Sequence, residues 1–340
     1  MPNSDSIYDI AIIGGGPTGM FAATYARMRL AKVLLLESLD QLGGQPENLF
    51  PQKNIYDIPA LLEINGHDLT EHLKKQVLSY NPDIKLGTKV ELIKKNEDNH
   101  FTLATNRGTF FSKSIIIASG IGSFTPRKLK LTSAEKFEDS AIFYTVNNPK
   151  KFIDKEVVIA GGGDSAVDWA LELEKFAKKV TLIHRRDQFR ALEGSVSKLK
   201  QKPIEILTPF KIEALSQVNN KLALDLAEVR GEQKIRLETD YLIVNYGFIS
   251  NNDFLEEWPV KLEKKNLISV NSVYETSTKG IYAIGDIATY PGKTQLIATG
   301  MGEGPIAVNH ALESLYPDKK QPTHSTSLIK EFNRHNLKKN

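Results

Sequence analysis

The chain has 340 residues, 41% of them hydrophobic and 25% charged, which supports a large core and predicts more than one domain, since single cores stop growing near about 250–300 residues. Its 44 Lys and Arg against 41 Asp and Glu leave a formal charge of +3, too balanced to point to a polyanion, so no nucleic-acid partner is expected. The absence of cysteine excludes disulfides, thiolate metal or cluster ligands, and any thiol nucleophile or redox dithiol supplied by the chain.

The N-terminal segment carries Asp5 and no basic residue before Tyr8, and the apolar run Ile10–Ile13 is too short for a signal-peptide core. No run is long and apolar enough for a membrane helix, so a cytoplasmic address is expected. Asp9-Ile-Ala-Ile-Ile reads as a strand buried on both faces, followed by a glycine turn, a helix over Met20–Leu30 and a second buried strand over Lys32–Glu37: a βαβ unit. Gly14, Gly16 and Gly19 are spaced as a dinucleotide fingerprint, in which the first makes the turn, the second admits a pyrophosphate and the third allows close helix–strand packing. Glu37, ending the second strand, sits where a carboxylate accepts bonds from ribose hydroxyls.

The same unit recurs. Glu156-Val-Val-Ile-Ala runs into Gly161-Gly162-Gly163-Asp164-Ser165-Ala166, then a helix predicted over Val167–Phe176 and a strand over Lys179–His184. Here alanine replaces the third glycine. At the offset from the first glycine that Glu37 holds in the first copy stands His184, followed by Arg185 and Arg186, with Arg190 able to join them. A carboxylate would repel a ribose 2′-phosphate, whereas guanidinium groups grip it with charge-assisted bonds, so this second site should prefer NADPH to NADH.

Two apolar runs that stop at glycine, Ile115–Gly120 and Tyr241–Gly247, bracket the second unit and mark the expected crossings between a discontinuous domain (1–118 and 249–340) and an inserted one (119–248). Later, Gly280-Ile-Tyr-Ala-Ile-Gly285-Asp286 reads as a short strand ending in a turn, and Thr299–Ser314 as a helix entered through a glycine-rich turn. Asp286 is suited to sugar-alcohol hydroxyls such as those of a flavin's ribityl chain. Beyond Pro317 the chain is basic, with six Lys or Arg against Asp318 and Glu331. Two nucleotide units and this late element predict a flavoprotein that also binds a nicotinamide nucleotide.

Together these segments resemble the ferredoxin/flavodoxin NADP reductases of the thioredoxin-reductase-like type. The resemblance covers essentially the whole chain: the Gly14–Gly19 loop, Leu42-Gly-Gly-Gln45, Phe50 with Ile55-Tyr-Asp57, Gly161–Asp168, His184-Arg-Arg-Asp187, Ile243–Gly247, Gly285-Asp286 and His324-Ser-Thr-Ser327. Thioredoxin reductases share this plan but carry a Cys-x-x-Cys in the NADPH domain, which this chain lacks. The resemblance implies an α/β fold of two Rossmann-like domains. It implies FAD on the Gly14 loop with Thr18, Glu37, Gln45, Phe50, Val90, Phe124, Asp286 and Thr326, and NADP(H) on Gly161, Gly163, Asp164, Ser165, His184 and the arginines.

In this family Phe50, commonly a tyrosine, would stack on one flavin face, and His324 would cover the other from the partner subunit of a homodimer. The implied activity is hydride transfer from NADPH to FAD and then single electrons to ferredoxin or flavodoxin, reversible in principle. Because the cofactor does the redox work, no catalytic side chain and no metal is expected. The acidic carrier would meet basic residues, with the tail lysines or Lys198, Lys200 and Lys202 as candidates. The competing readings are an NADPH oxidase with another acceptor and a flavin- and NADP-binding sensor without turnover.

Overall fold

The structure, a computed structural model, describes residues 7–138, 140–146, 148–251, 253–318 and 325–337. The chain divides into two compact units, residues 1–123 with 251–340, and residues 124–250. Among the described residues no helix is long and apolar enough to cross a membrane.

The first unit begins with β1 (Ile7–Ile13), α1 (Pro17–Met28), β2 (Val33–Leu36), α2 (Gly44–Leu49), α3 (Gly66–Ser79), β3 (Asp83–Lys85), β4 (Val90–Lys95), β5 (Phe101–Thr105) and β6 (Gly108–Ile117). The strands order as β3-β2-β1-β6-β5-β4. β3, β2, β1 and β6 are parallel, and β4 and β5 extend the sheet antiparallel. The near-continuous apolar runs of β1 and β2 follow from burial on both faces. Ile10, Ile12 and Leu35 face α1 and α3, while Ala11, Ile13, Leu34 and Leu36 enter a second core with Phe101, Leu103 and Trp258. Pro17, whose missing N–H costs nothing at the first helical position, starts α1 three residues before the predicted Met20.

The second unit contains β7 (Ile142–Phe143), β8 (Glu156–Gly161), α4 (Asp164–Leu173), β9 (Lys179–Ile183), α5 (Glu193–Leu199), β10 (Glu205–Leu207), β11 (Phe210–Val218), β12 (Lys221–Glu228), β13 (Lys234–Thr239) and β14 (Tyr241–Asn245). A five-stranded parallel sheet, β7-β14-β8-β9-β10, carries one face against α4 and the other against the antiparallel β11-β12-β13 meander. Period-two alternation sorts the residues. Val157, Ile159, Val180 and Leu182 meet Val167, Ala170 and Leu173, whereas Val158, Ala160 and Ile183 meet Ile212, Leu222 and Leu224.

Returning to the first unit, β15 (Ile281–Ala283) pairs parallel with β6, and α6 (Ile297–Leu315) and α7 (Ser325–Leu337) follow. The helix expected over Thr299–Ser314 runs from Ile297 to Leu315, so its glycine-rich entrance is itself helical. Its glycines serve packing instead: a Cβ on Gly304 would stand 3.3 Å from that of Ala22 in α1, so their absence lets the two helices approach closely. In α7, Leu328 and Phe332 are buried, and Phe332 lies 5.0 Å from the Tyr80 ring.

Candidate functional site

In the first unit, Ile13, Ile117 and Ala283 are adjacent in register across β1, β6 and β15. The Gly14 loop, Ser119-Gly120 and Gly285-Asp286 therefore leave the sheet side by side at its carboxyl edge, where ligands of open α/β sheets bind. Gly14 has a φ of +110°, and a Cβ on Gly19 would stand 1.9 Å from the Gly14 carbonyl oxygen, so helix and turn meet at a distance only glycine permits. Gly16 caps α1 without a side-chain acceptor, leaving the first N–H groups and the helix dipole free for an anion.

The carboxylate of Glu37 is nearly buried and fixed by the loop itself: Oε2 accepts from the Gly15 N–H at 2.6 Å and Oε1 from the Leu39 N–H at 2.8 Å. Oε1 also accepts from the Ser38 hydroxyl at 3.2 Å, so Oε2 is the oxygen that retains a lone pair for a ribose hydroxyl. Gln45 Nε2 donates to Asp286 Oδ2 at 3.4 Å. Burial raises the Asp286 carboxyl above its ordinary range and Glu303 adds to the rise, while Lys293 and Gln45 oppose it. The Ser119 hydroxyl, in the segment beside Gly14, is buried without a hydrogen-bond partner, and a polar ligand would complete its bonding.

Phe50 ends α2, half-buried against the core that holds α1. Thr18 lies against Gly285 and Gly300. The Val90 side chain is committed to the sheet core, which leaves only its backbone for a ligand. Thr326 is exposed on α7. The side chain of Phe124 and all of His324 lie outside the described residues.

The second unit repeats the plan at the ends of β8, β9 and β14. Gly163 caps α4, again without a side-chain acceptor. Asp164 Oδ1 accepts from the Leu192 N–H at 3.0 Å, tying the next loop to the helix start, and Ser165 is exposed. Ala166 is fully buried, so this turn accommodates a methyl where the first copy needs Gly19. The His184 ring covers Gly162, whose Cβ, if present, would stand 2.3 Å from it, and stacks on Phe189 at 5.4 Å. Burial pushes the imidazole pKa down, and Arg185, Arg186 and Arg190 push it further.

The Arg190 N–H donates to the Gly162 carbonyl at 2.7 Å, which holds the arginine segment against the glycine loop. Arg185, Arg186 and Arg190 are exposed, and none of their guanidinium groups is paired with a carboxylate among the described residues. His184 Nε2 and Asn245 Oδ1 are buried without partners. An electropositive, partly unsatisfied cradle of this kind fits a phosphorylated nucleotide.

Nothing in the local sequence singles out Ser119, Asn245 or the hydrogen-bonded trio Tyr290, Lys293 and Glu303. The one signal for the last was a carboxylate inside the small-residue run Thr299–Pro305. Among the described residues no cluster of His, Cys, Asp or Glu could hold a metal ion.

Two glycine-capped helices on parallel sheets, one beside a carboxylate and one beside arginines, define a protein for two nucleotide cofactors. Residues 8–311 match the pyridine nucleotide-disulphide oxidoreductase family, to which the chain belongs, and within it the chain groups with the ferredoxin–NADP reductases. It is 55% identical to the ferredoxin–NADP reductase of Ligilactobacillus salivarius, over 96% of this chain and 97% of that protein. With that of Halalkalibacterium halodurans it shares 48%, over 97% and 100%. Among solved structures it resembles thioredoxin reductase from Lactococcus lactis (27% identity, TM-score 0.76, 90% of this chain and 98% of that one) and from T. acidophilum (26%, 0.78, 91% and 98%). The thioredoxin-reductase fold is thus present in a chain without cysteine.

Proposed function

We propose that the first unit holds FAD, the second holds NADPH, and the protein is a ferredoxin–NADP reductase. One observation carries the reading: at equivalent places beside two like glycine loops stand a loop-fixed carboxylate, Glu37, and an unpaired guanidinium cluster, Arg185, Arg186 and Arg190. The first accepts bonds from an unphosphorylated ribose; the second attracts a 2′-phosphate and so selects NADPH over NADH.

FAD bound here supplies the conversion of a hydride equivalent from NADPH into single electrons for ferredoxin. The chain's own tasks are binding and orientation. The N–H groups of the Gly14 and Gly161 loops face pyrophosphates, Glu37 holds the adenosine ribose, Asp286 the ribityl hydroxyls, and Phe50 stacks on the flavin. No side chain is required to donate a proton or attack a substrate.

Flavodoxin serves as an alternative carrier, and the enzyme works in the cytoplasm as a homodimer in which His324 of the partner subunit covers the second flavin face. The test is a titration of the purified yellow protein with NADPH and NADH, with ferredoxin and flavodoxin offered separately. Bleaching by NADPH with ferredoxin-dependent turnover is expected. Equal response to NADH, or rapid oxygen consumption with no electron delivery to either carrier, would overturn the reading.

A further inference from the structure

Glu303, in the second turn of α6, is 1% exposed, and Lys293 beside it is also buried. A carboxylate removed from water needs compensation, because desolvating a charge is costly unless the charge is paired and hydrogen-bonded. Glu303 has that compensation in full. Its Oε2 accepts from the Gly285 N–H at 2.6 Å, and its Oε1 accepts from the Tyr290 hydroxyl at 2.7 Å and from the Lys293 ammonium in a short ion pair. One side chain therefore ties the turn that carries Asp286, the loop that follows it, and α6 into one assembly.

Asp286 has little else to fix it. Its side-chain bond to Gln45 is long, 3.4 Å, and Gly285 has a φ of +74°, a turn that glycine adopts freely and that packing must hold. We propose that Glu303 is the positioning residue of the Gly285–Asp286 turn, and that Lys293, ion-paired to the buried Glu303, supplies the positive charge that also balances the part-buried carboxylate of Asp286. This rests on the reading that Asp286 receives the ribityl hydroxyls of FAD.

Among the described residues the charged groups acting on Asp286 are Lys293 and Glu303, with the Tyr290 hydroxyl held on Glu303; Gln45 of α2 bonds it as a neutral group, and Thr18 of α1 lies against the neighbouring Gly285. Removing Lys293 leaves two carboxylates without a cation, which raises the pH at which Asp286 takes up a proton and stops being an acceptor. Removing the charge of Glu303 leaves Asp286 with the cation alone and lowers that pH.

The test follows flavin release from the holoenzyme as pH is lowered through the mildly acidic range, with free flavin separated by gel filtration, in wild type, K293M, K293R and E303Q. The release midpoint should rise by about one pH unit or more in K293M, stay in place in K293R, and fall in E303Q. A residue that only props up the fold would move K293M and E303Q in the same direction. That result, unmoved midpoints, or failure of arginine to substitute for lysine overturns the proposal. Should K293M not fold, E303Q against wild type and K293R decides it. A wild-type protein that arrives colourless and takes up no FAD would instead overturn the flavin reading.

Discussion

The carboxylate of Glu37 and the backbone of Gly15 are joined by a 2.6 Å hydrogen bond, so the proposed ribose acceptor and the glycine loop are held together. Replacing Glu37 with alanine frees the loop and deletes the acceptor. A hydrogen bond to a charged group contributes about 1.5–3 kcal/mol, so E37A should bind FAD roughly 10- to 100-fold more weakly. Flavin fluorescence on dilution of the holoenzyme measures this, and unchanged retention would count against ribose binding at Glu37.

At the second loop the corresponding change is one of selectivity. In R185A/R186A the KM for NADPH should rise by roughly 10- to 100-fold while that for NADH stays put, since only the 2′-phosphate loses its charge-assisted bonds. Steady-state kinetics with both nucleotides decide it. A parallel loss for NADH would show that the arginines hold the fold or the common part of the nucleotide.

Two glycines in matching loops should respond oppositely to alanine. A Cβ on Gly19 would collide with the Gly14 carbonyl at 1.9 Å, whereas one on Gly163 meets nothing within 4 Å. G19A should destabilise the protein by about 3 kcal/mol or more and arrive without flavin, while G163A should stay within about 0.5 kcal/mol of wild type. Thermal melting checks both.

Glu156 gives a pH-dependent stability. The ammonium groups of Lys178 and Lys221 bond its carboxylate at 2.8 and 2.6 Å and bring its pKa from 4.5 to about 2. Because the folded value lies below the unfolded one, the stabilisation is present above 4.5 and disappears as pH falls toward 2. E156Q should melt slightly lower than wild type at neutral pH, the gap closing in acid; the site is mostly solvated, so the effect is less than about 1 kcal/mol. A gap that widens in acid would contradict this account.

Both nucleotide units were legible in the sequence because a buried parallel strand, a glycine turn and the following helix lie within one short segment, and Glu37 and His184 end the next strand of each. Asp286 was legible as a strand-end carboxylate. Glu303 was not, since an acidic residue in a helix ordinarily faces water, and only the approach of Lys293, Tyr290 and the Gly285 N–H makes its burial tolerable. The same holds for Ser119 and Asn245, whose unpaired atoms depend on neighbours far along the chain. The helix of Thr299–Ser314 was legible, but its glycine-rich entrance read as a turn because glycine's freedom and glycine's compactness leave the same mark in a sequence; contact with α1 selects the second use.

The register of Ala283 beside Ile117 bears on how the molecule is made. Residues 124–250 form a contiguous block that can close as soon as it leaves the ribosome, but the sheet begun by β1 and β6 waits for a strand translated only after that block is complete. During that interval the Ile115–Ile117 end of the β6 edge stands bare, a template for misplaced pairing, and the proposed flavin site is complete only once Asp286 has been synthesised.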